Sequence, residues 1–200
     1  IPDKSYIQAL RKRCTEVGAS LIFDEIQTGM GRTGTLFAFQ QFGVVPDILC
    51  TAKAFGGGMP TGAFISSKEN MELLTHDPVL GHITTFGGHP VCCAAALANL
   101  KVLEKEKWID EVNYKSLLFN ELLSHESIIE LRSLGFMFAV ELASEEKVNQ
   151  VIHQLLEKGI IGFYFLSCRN AFRLAPPLCI TEDEIKWACK EITEVLDGST

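Results

Sequence analysis

Apolar residues recur at helical spacing near the start of the chain. Tyr6, Ile7, Leu10, Cys14 and Val17 share one face after Pro2-Asp3, and Gly18 stops the run. The pattern predicts a helix whose other face, with Lys4, Arg11, Lys12 and Arg13, is solvated. Ser20-Leu21-Ile22-Phe23 is too short an apolar run for a helix and ends in Asp24-Glu25. It reads as a buried parallel strand delivering acidic residues at its carboxyl end, the edge where ligands bind in open α/β sheets. From Gln27 to Phe42 the pattern is that of a long loop, with Thr28-Gly29-Met30-Gly31-Arg32-Thr33-Gly34 followed by Phe37, Phe39 and Phe42. Its glycines lack the spacing of a dinucleotide-binding turn.

Two further strands follow. Pro46 leads into Asp47-Ile48-Leu49-Cys50-Thr51, which runs to Lys53, and Gly62-Ala63-Phe64-Ile65-Ser66 leads to Ser67, whose hydroxyl is placed to cap a helix from Glu69 to Leu74. Thr84-Thr85-Phe86-Gly87-Gly88 then precedes a helix over Pro90 to Lys107. Threonine hydroxyls and backbone donors at a helix start suit a phosphate, although a plain capped loop has the same composition.

Beyond Trp108 the pattern changes. A helix over Ile109 to Leu123 leads to alternating strands at Ile128 to Leu134 and Phe136 to Leu142, turning at Gly135. An amphipathic helix from Ser144 to Lys158, strands near Ile160 to Phe165 and at Phe172 to Leu174, and a last helix opened by Thr181-Glu182-Asp183-Glu184 complete the chain. Two antiparallel hairpins with two helices on one face make a small α+β domain. The domain boundary is expected near residue 105, giving 1–105 and 106–200.

Composition narrows the function classes. A formal charge of −7 argues against non-specific nucleic-acid binding, and no apolar run reaches the length of a membrane span. Seven cysteines, without a Cys-x-x-Cys pair, fit neither a disulfide framework nor a zinc site, and His82 and His89 lack further ligands at helical spacing. Reduced thiols in a cytoplasmic setting are expected, and no signal-peptide pattern is evident. The opening Ile1-Pro2-Asp3 has the look of a segment cut from a longer chain.

The chemistry gathers around Lys53. A lysine at the end of an apolar strand, followed after Ala54-Phe55 by Gly56-Gly57-Gly58, is either a surface lysine on a tight turn or one kept for its amine. Desolvation lowers an amine's pKa, and such an amine forms a Schiff base with a carbonyl compound. The triple glycine would give the backbone room beside such a group. A carboxylate at a neighbouring strand's end, as at Asp24, would pair with a pyridinium nitrogen and keep it protonated. Ser66-Ser67 is expected, less pointedly, at a third strand end of the same sheet.

At these residues the chain resembles the class III aminotransferases of pyridoxal-phosphate (PLP) fold type I, the group of ornithine, acetylornithine and 4-aminobutyrate aminotransferases. The likeness rests on Ile22-Phe23-Asp24-Glu25-Ile26-Gln27-Thr28-Gly29, Pro46-Asp47-Ile48, Lys53 with the glycines after it, and Thr84-Thr85-Phe86-Gly87-Gly88, with Asp24 and Lys53 separated by 29 positions. The resemblance implies an α/β fold: the later part of the large domain, a mostly parallel sheet with helices, plus the small C-terminal domain. It implies that Lys53 holds PLP and moves a proton, Asp24 pairs with the ring nitrogen, Ile26 packs on the ring and Gln27 bonds its phenolic oxygen. Thr85, with Thr84 beside it, would bind the phosphate across the interface of a homodimer with shared active sites. Arg173, in Phe172-Arg173-Leu174-Ala175-Pro176-Pro177, would hold a substrate carboxylate; a structural ion pair is the alternative, and Arg169 is a second candidate.

The implied activity transfers an amino group, ω-amino in the ornithine-like manner, from an amino acid to an oxo acid such as 2-oxoglutarate. An aminomutase or decarboxylase shares these motifs, and a non-catalytic half-enzyme is the alternative from another class. His89 departs from the family, where asparagine is commoner. The family's N-terminal half, with its Gly-Ser-type phosphate loop and ring-stacking aromatic, has no counterpart in these residues.

Overall fold

Helix α1 (Lys4–Val17) ends at Gly18, whose φ of +70° is the left-handed conformation that glycine adopts without a side-chain clash, and Ala19 N–H closes back on the Cys14 carbonyl at 2.9 Å. Ile7 is buried with Leu21 and Val44, and Leu10, Cys14, Phe23 and Phe42 pack around them. Tyr6 and Val17, expected on this face, are exposed. At about 100° of turn per residue they lie roughly 80–100° from Ile7, at the edge of the apolar stripe, whereas Cys14 lies almost above it.

A computed structural model describes residues 1–198. The chain forms two units: Pro2–Gly31 with Thr35–Lys107, and Arg32–Gly34 with Ile1 and the chain from Trp108 on. In the first, β1 (Ile22–Asp24) runs parallel to β2 (Ile48–Thr51), with Ile22 opposite Ile48, Phe23 opposite Leu49 and Asp24 opposite Cys50. The antiparallel strand β3 (Ala63–Ser66) completes a three-stranded sheet in the order β1-β2-β3. Asp47 binds this sheet to α1: its Oδ2 accepts from Arg11 Nη1 at 2.6 Å and from Leu21 N–H at 2.7 Å.

Three expectations are corrected here. Strand β1 is not buried on both faces, since Ile22 is 55% exposed. Alternation along a strand sends Leu21 and Phe23 to the α1 side and Ile22 and Asp24 to the other. Ser66-Ser67 does not share an edge with Asp24, because β3 runs backwards and pairs Ser66 with Ile48, at the start of β2. The stretch from Gln27 to Phe42 is not loop throughout; it closes with the one-turn helix α2 (Phe39–Phe42). Helix α3 (Lys68–Glu72) is capped by Ser67 Oγ, which accepts from Asn70 N–H at 3.3 Å, and α4 (Pro90–Glu106) begins with proline at its first position.

The second unit holds α5 (Trp108–Leu122), β4 (Glu130–Leu134), β5 (Met137–Glu141), α6 (Glu145–Glu157), β6 (Phe163–Tyr164), β7 (Ala171–Leu174) and α7 (Glu182–Asp197). The two expected hairpins merge into one antiparallel sheet, β4-β5-β7-β6, because β5 pairs with β7 from Phe138–Leu174 to Glu141–Ala171. Three helices rather than two accompany it, α5 packing on α7 and α7 on α6. Phe119, Phe136, Phe138 and Phe172 anchor its core among Val148, Leu155, Ile185 and Ile192. Ser144 caps α6, and Thr181 with Glu184 forms the capping box of α7.

Candidate active site

Parallel pairing of β1 and β2 sends both chains out over the same edge of the sheet. Asp24 closes β1 and is exposed; its Oδ1 accepts the N–H of Ile26 at 2.9 Å, which turns the chain at once. Ile26 is half-buried and Gln27 exposed. Lys53 follows β2 by two residues and opens a 3-10 turn, Lys53–Gly56. Its φ of +48° is one a lysine seldom adopts, a local cost of order 1–3 kcal/mol that must be borne by the surrounding structure. The residue is exposed at the strand's end.

The turn is held from behind by α4. A Cβ on Gly57 would come within 2.8 Å of the Ala95 carbonyl and 2.9 Å of Asn99 Cβ, so only glycine allows this approach. At Gly57 the room made by the triple glycine brings the turn against helix α4. Asn99 Nδ2 donates to the Ala54 carbonyl at 2.8 Å, fastening the residue after the lysine. Thr84 and Thr85 lie in the turn before α4, both exposed, with Gly87 N–H donating to the Thr84 carbonyl at 3.2 Å. Arg173 belongs to the second unit, in the middle of β7 between Ala139 of β5 and Phe163 of β6, its guanidinium 5.5 Å from the Phe163 ring centre. Arg169 pairs instead with Glu145 at 3.2 Å on the surface.

Two residues here were missed by pattern reading. Glu25 is only 2% exposed, and it is not a twin of Asp24. Its carboxylate accepts the N–H groups of Ala38 at 3.0 Å and Phe39 at 2.8 Å and the hydroxyl of Thr28, so it folds the glycine-rich loop. Asn99 had one local signal, a polar side chain within the run of small residues in α4.

The donor set fits PLP. It offers a primary amine and a carboxylate leaving one sheet edge, with an apolar side chain and an amide following the carboxylate. The buried hydroxyls of Thr51 and Thr61 make no hydrogen bond among the described residues.

Comparison with known proteins agrees. The family profile described as "Aminotransferase class-III" matches residues 1–196. A putrescine aminotransferase of Pectobacterium atrosepticum is 39% identical over 203 residues, covering 98% of this chain and 43% of that protein. An acetylornithine aminotransferase of Methanocaldococcus jannaschii is 39% identical over 202 residues, covering 98% and 48%. Among solved structures, the ornithine aminotransferase of Toxoplasma gondii superposes with a TM-score of 0.91 at 32% identity, covering all of this chain and 47% of that one, and it carries PLP at partial occupancy in its active site. The chain thus spans about half the length of the curated relatives it matches. With a profile match along nearly its whole length, this chain belongs to the class III aminotransferase family.

Proposed function

We propose that the protein carrying this chain is a PLP-dependent aminotransferase moving an amino group, ω-amino as in its ornithine-like relatives, from an amino acid to an oxo acid such as 2-oxoglutarate. The observation that carries this reading is the register that puts Asp24 opposite Cys50, three residues before Lys53. When bound, PLP supplies an electrophilic carbonyl carbon and a ring that draws electrons from the substrate carbon. Lys53 would hold the cofactor through Nζ, and its free amine would take a proton from the substrate carbon and return one. Asp24 keeps a proton on the pyridine nitrogen by charge-assisted hydrogen bonding. Ile26 covers a ring face and excludes water, while the Gln27 amide donates to the phenolic oxygen. The hydroxyls of Thr84 and Thr85 bind the phosphate, in the family's manner from the second subunit of a homodimer. Arg173 orients the substrate by a fork-shaped grip on its carboxylate. A cytoplasmic setting suits the free state of all seven cysteines.

The test is direct. Adding PLP to the complete gene product should give a visible absorption band, and borohydride should fix the cofactor to the peptide containing Lys53. No band, or fixation elsewhere, would sink the proposal. Product analysis with and without 2-oxoglutarate separates transamination from an aminomutase or decarboxylase. A non-catalytic half-enzyme is favoured only by the exposure of Ile22, Phe64 and Ile65 on the sheet, and it predicts no PLP uptake.

A further inference from the structure

Lys53 adopts a conformation that its own turn does not require. The Phe55 N–H closes on the Ala52 carbonyl at 3.0 Å, with Lys53 the second residue of the four. A bond of this kind closes turns whose second residue has either sign of φ, and a negative φ is the unstrained choice for a lysine. The next closure, from the Gly57 N–H to the Ala54 carbonyl at 3.2 Å, begins after Lys53 and does not fix its φ either. The value of +48° is held by contacts from outside the turn.

Those contacts come from α4. Ala95 and Asn99 lie one turn apart on a shared face of that helix. Gly57 seats against the Ala95 carbonyl and Asn99 Cβ, and Asn99 Nδ2 donates to the Ala54 carbonyl at 2.8 Å. With the Gly57 N–H, the Asn99 amide occupies both lone pairs of that carbonyl, so the Ala54–Phe55 peptide is held from within the turn and from the helix. Asparagine is a weaker helix former than the alanines and leucines around it, and this contact accounts for its place in the middle of α4.

Glycine or asparagine would take a positive φ more readily than lysine. A lysine kept there against its preference is kept for its side chain, and the sign of φ decides where that side chain points. Relaxing from +48° to about −60° would rotate the Cα–Cβ bond by roughly 110° about N–Cα.

We propose that Asn99 is a positioning residue for Lys53: by fixing the Ala54 carbonyl it holds the turn in the hand that gives Lys53 its positive φ, and so sets the direction in which the amine leaves the sheet edge it shares with Asp24. The inference rests on the assignment of Lys53 as the amine that holds PLP, and deepens it by giving that amine a support 46 positions away in sequence.

The experiment measures PLP affinity of the complete gene product from its visible absorption, with borohydride fixation, steady-state kinetics and urea unfolding alongside. Asn99→Ala should weaken PLP binding and lower kcat, each about fivefold, as loss of one ordinary hydrogen bond predicts, with KM within about twofold. Asn99→Asp, of the same shape but without the N–H donor, should lose at least as much. Asn99→Gln keeps the donor and should recover most of the loss. If borohydride fixes no PLP at Lys53 in the parent, the assignment of Lys53 fails and the inference goes with it. If the parent is fixed at Lys53 while Asn99→Ala and Asn99→Asp match its PLP affinity and kcat, Lys53 keeps its role and only that of Asn99 is overturned. Should Asn99→Ala fail to fold, equal PLP affinity and kcat in Asn99→Asp and Asn99→Gln overturn it as well.

Discussion

Asp24 and Cys50 are register partners across the parallel strands β1 and β2, so the carboxylate that ends one strand and the amine that follows the other leave the sheet together. Replacing Lys53 by alanine should lower turnover by at least about a thousandfold, since the proton transfers at the substrate carbon lose their positioned base. Asp24→Asn should lower it by a similar order while leaving the fold intact, because its carboxylate is exposed and its bond to the nearby Ile26 N–H can also be made by an amide oxygen. Retention of more than a tenth of parental turnover by either variant, in a steady-state assay, would remove that residue from the chemistry.

Gly57→Ala tests the support behind the lysine. Its φ is +57°, and the added Cβ would meet the Ala95 carbonyl and Asn99. Left-handed strain and overpacking together should cost about 2–4 kcal/mol. Urea unfolding should show this as a lower midpoint, and a midpoint unchanged from the parent would contradict the close approach.

Acid should loosen α1 from its strands. The Leu21 N–H and then Arg11 hold the Asp47 carboxyl below its ordinary value of 3.8. A depressed carboxylate contributes stability above its unfolded-state value and loses it as pH falls through the folded one. The difference in urea midpoint between parent and Asp47→Asn should therefore be full near neutral pH and shrink below the ordinary value. A difference that stays constant on acidification would refute the coupling.

Cysteine reactivity should separate by burial. Cys189 lies in the core of the second unit, and burial pushes its thiol up to about 12. Its thiolate is then almost absent at neutral pH, so iodoacetamide should spare it in the native protein and modify it on unfolding. Mass spectrometry of the Cys189 peptide decides the matter. Labelling of native Cys189 at the unfolded rate would show that the core opens freely.

Much of this architecture is legible in the sequence because its signals are local. Gly18 ends α1, Ser144 starts α6 and Thr181 with Glu184 starts α7, each through contacts within a few residues. Lys53 and Asp24 were likewise readable, being polar residues that stop apolar runs. What escaped depends on distant partners. Nothing near Glu25 indicates that Ala38 and Phe39 will fold over it, and nothing near Arg32 points to the Pro176 carbonyl that its guanidinium binds. The direction of β3 also lies outside local pattern, since alternation is the same whichever way a strand runs.

The reversal of β3 bears on how Lys53 can move. Thr51 and Ala63 are partners across β2 and β3, so the lysine sits just inside a closed loop with both feet in the sheet. Its backbone, twisted to a positive φ and tied at the next residue by Asn99, acts as a fixed pivot. Motion at this position is left to the four-carbon stem, which can swing the amine through an arc while its base stays still. A force on the amine is carried into two strands and a helix at once.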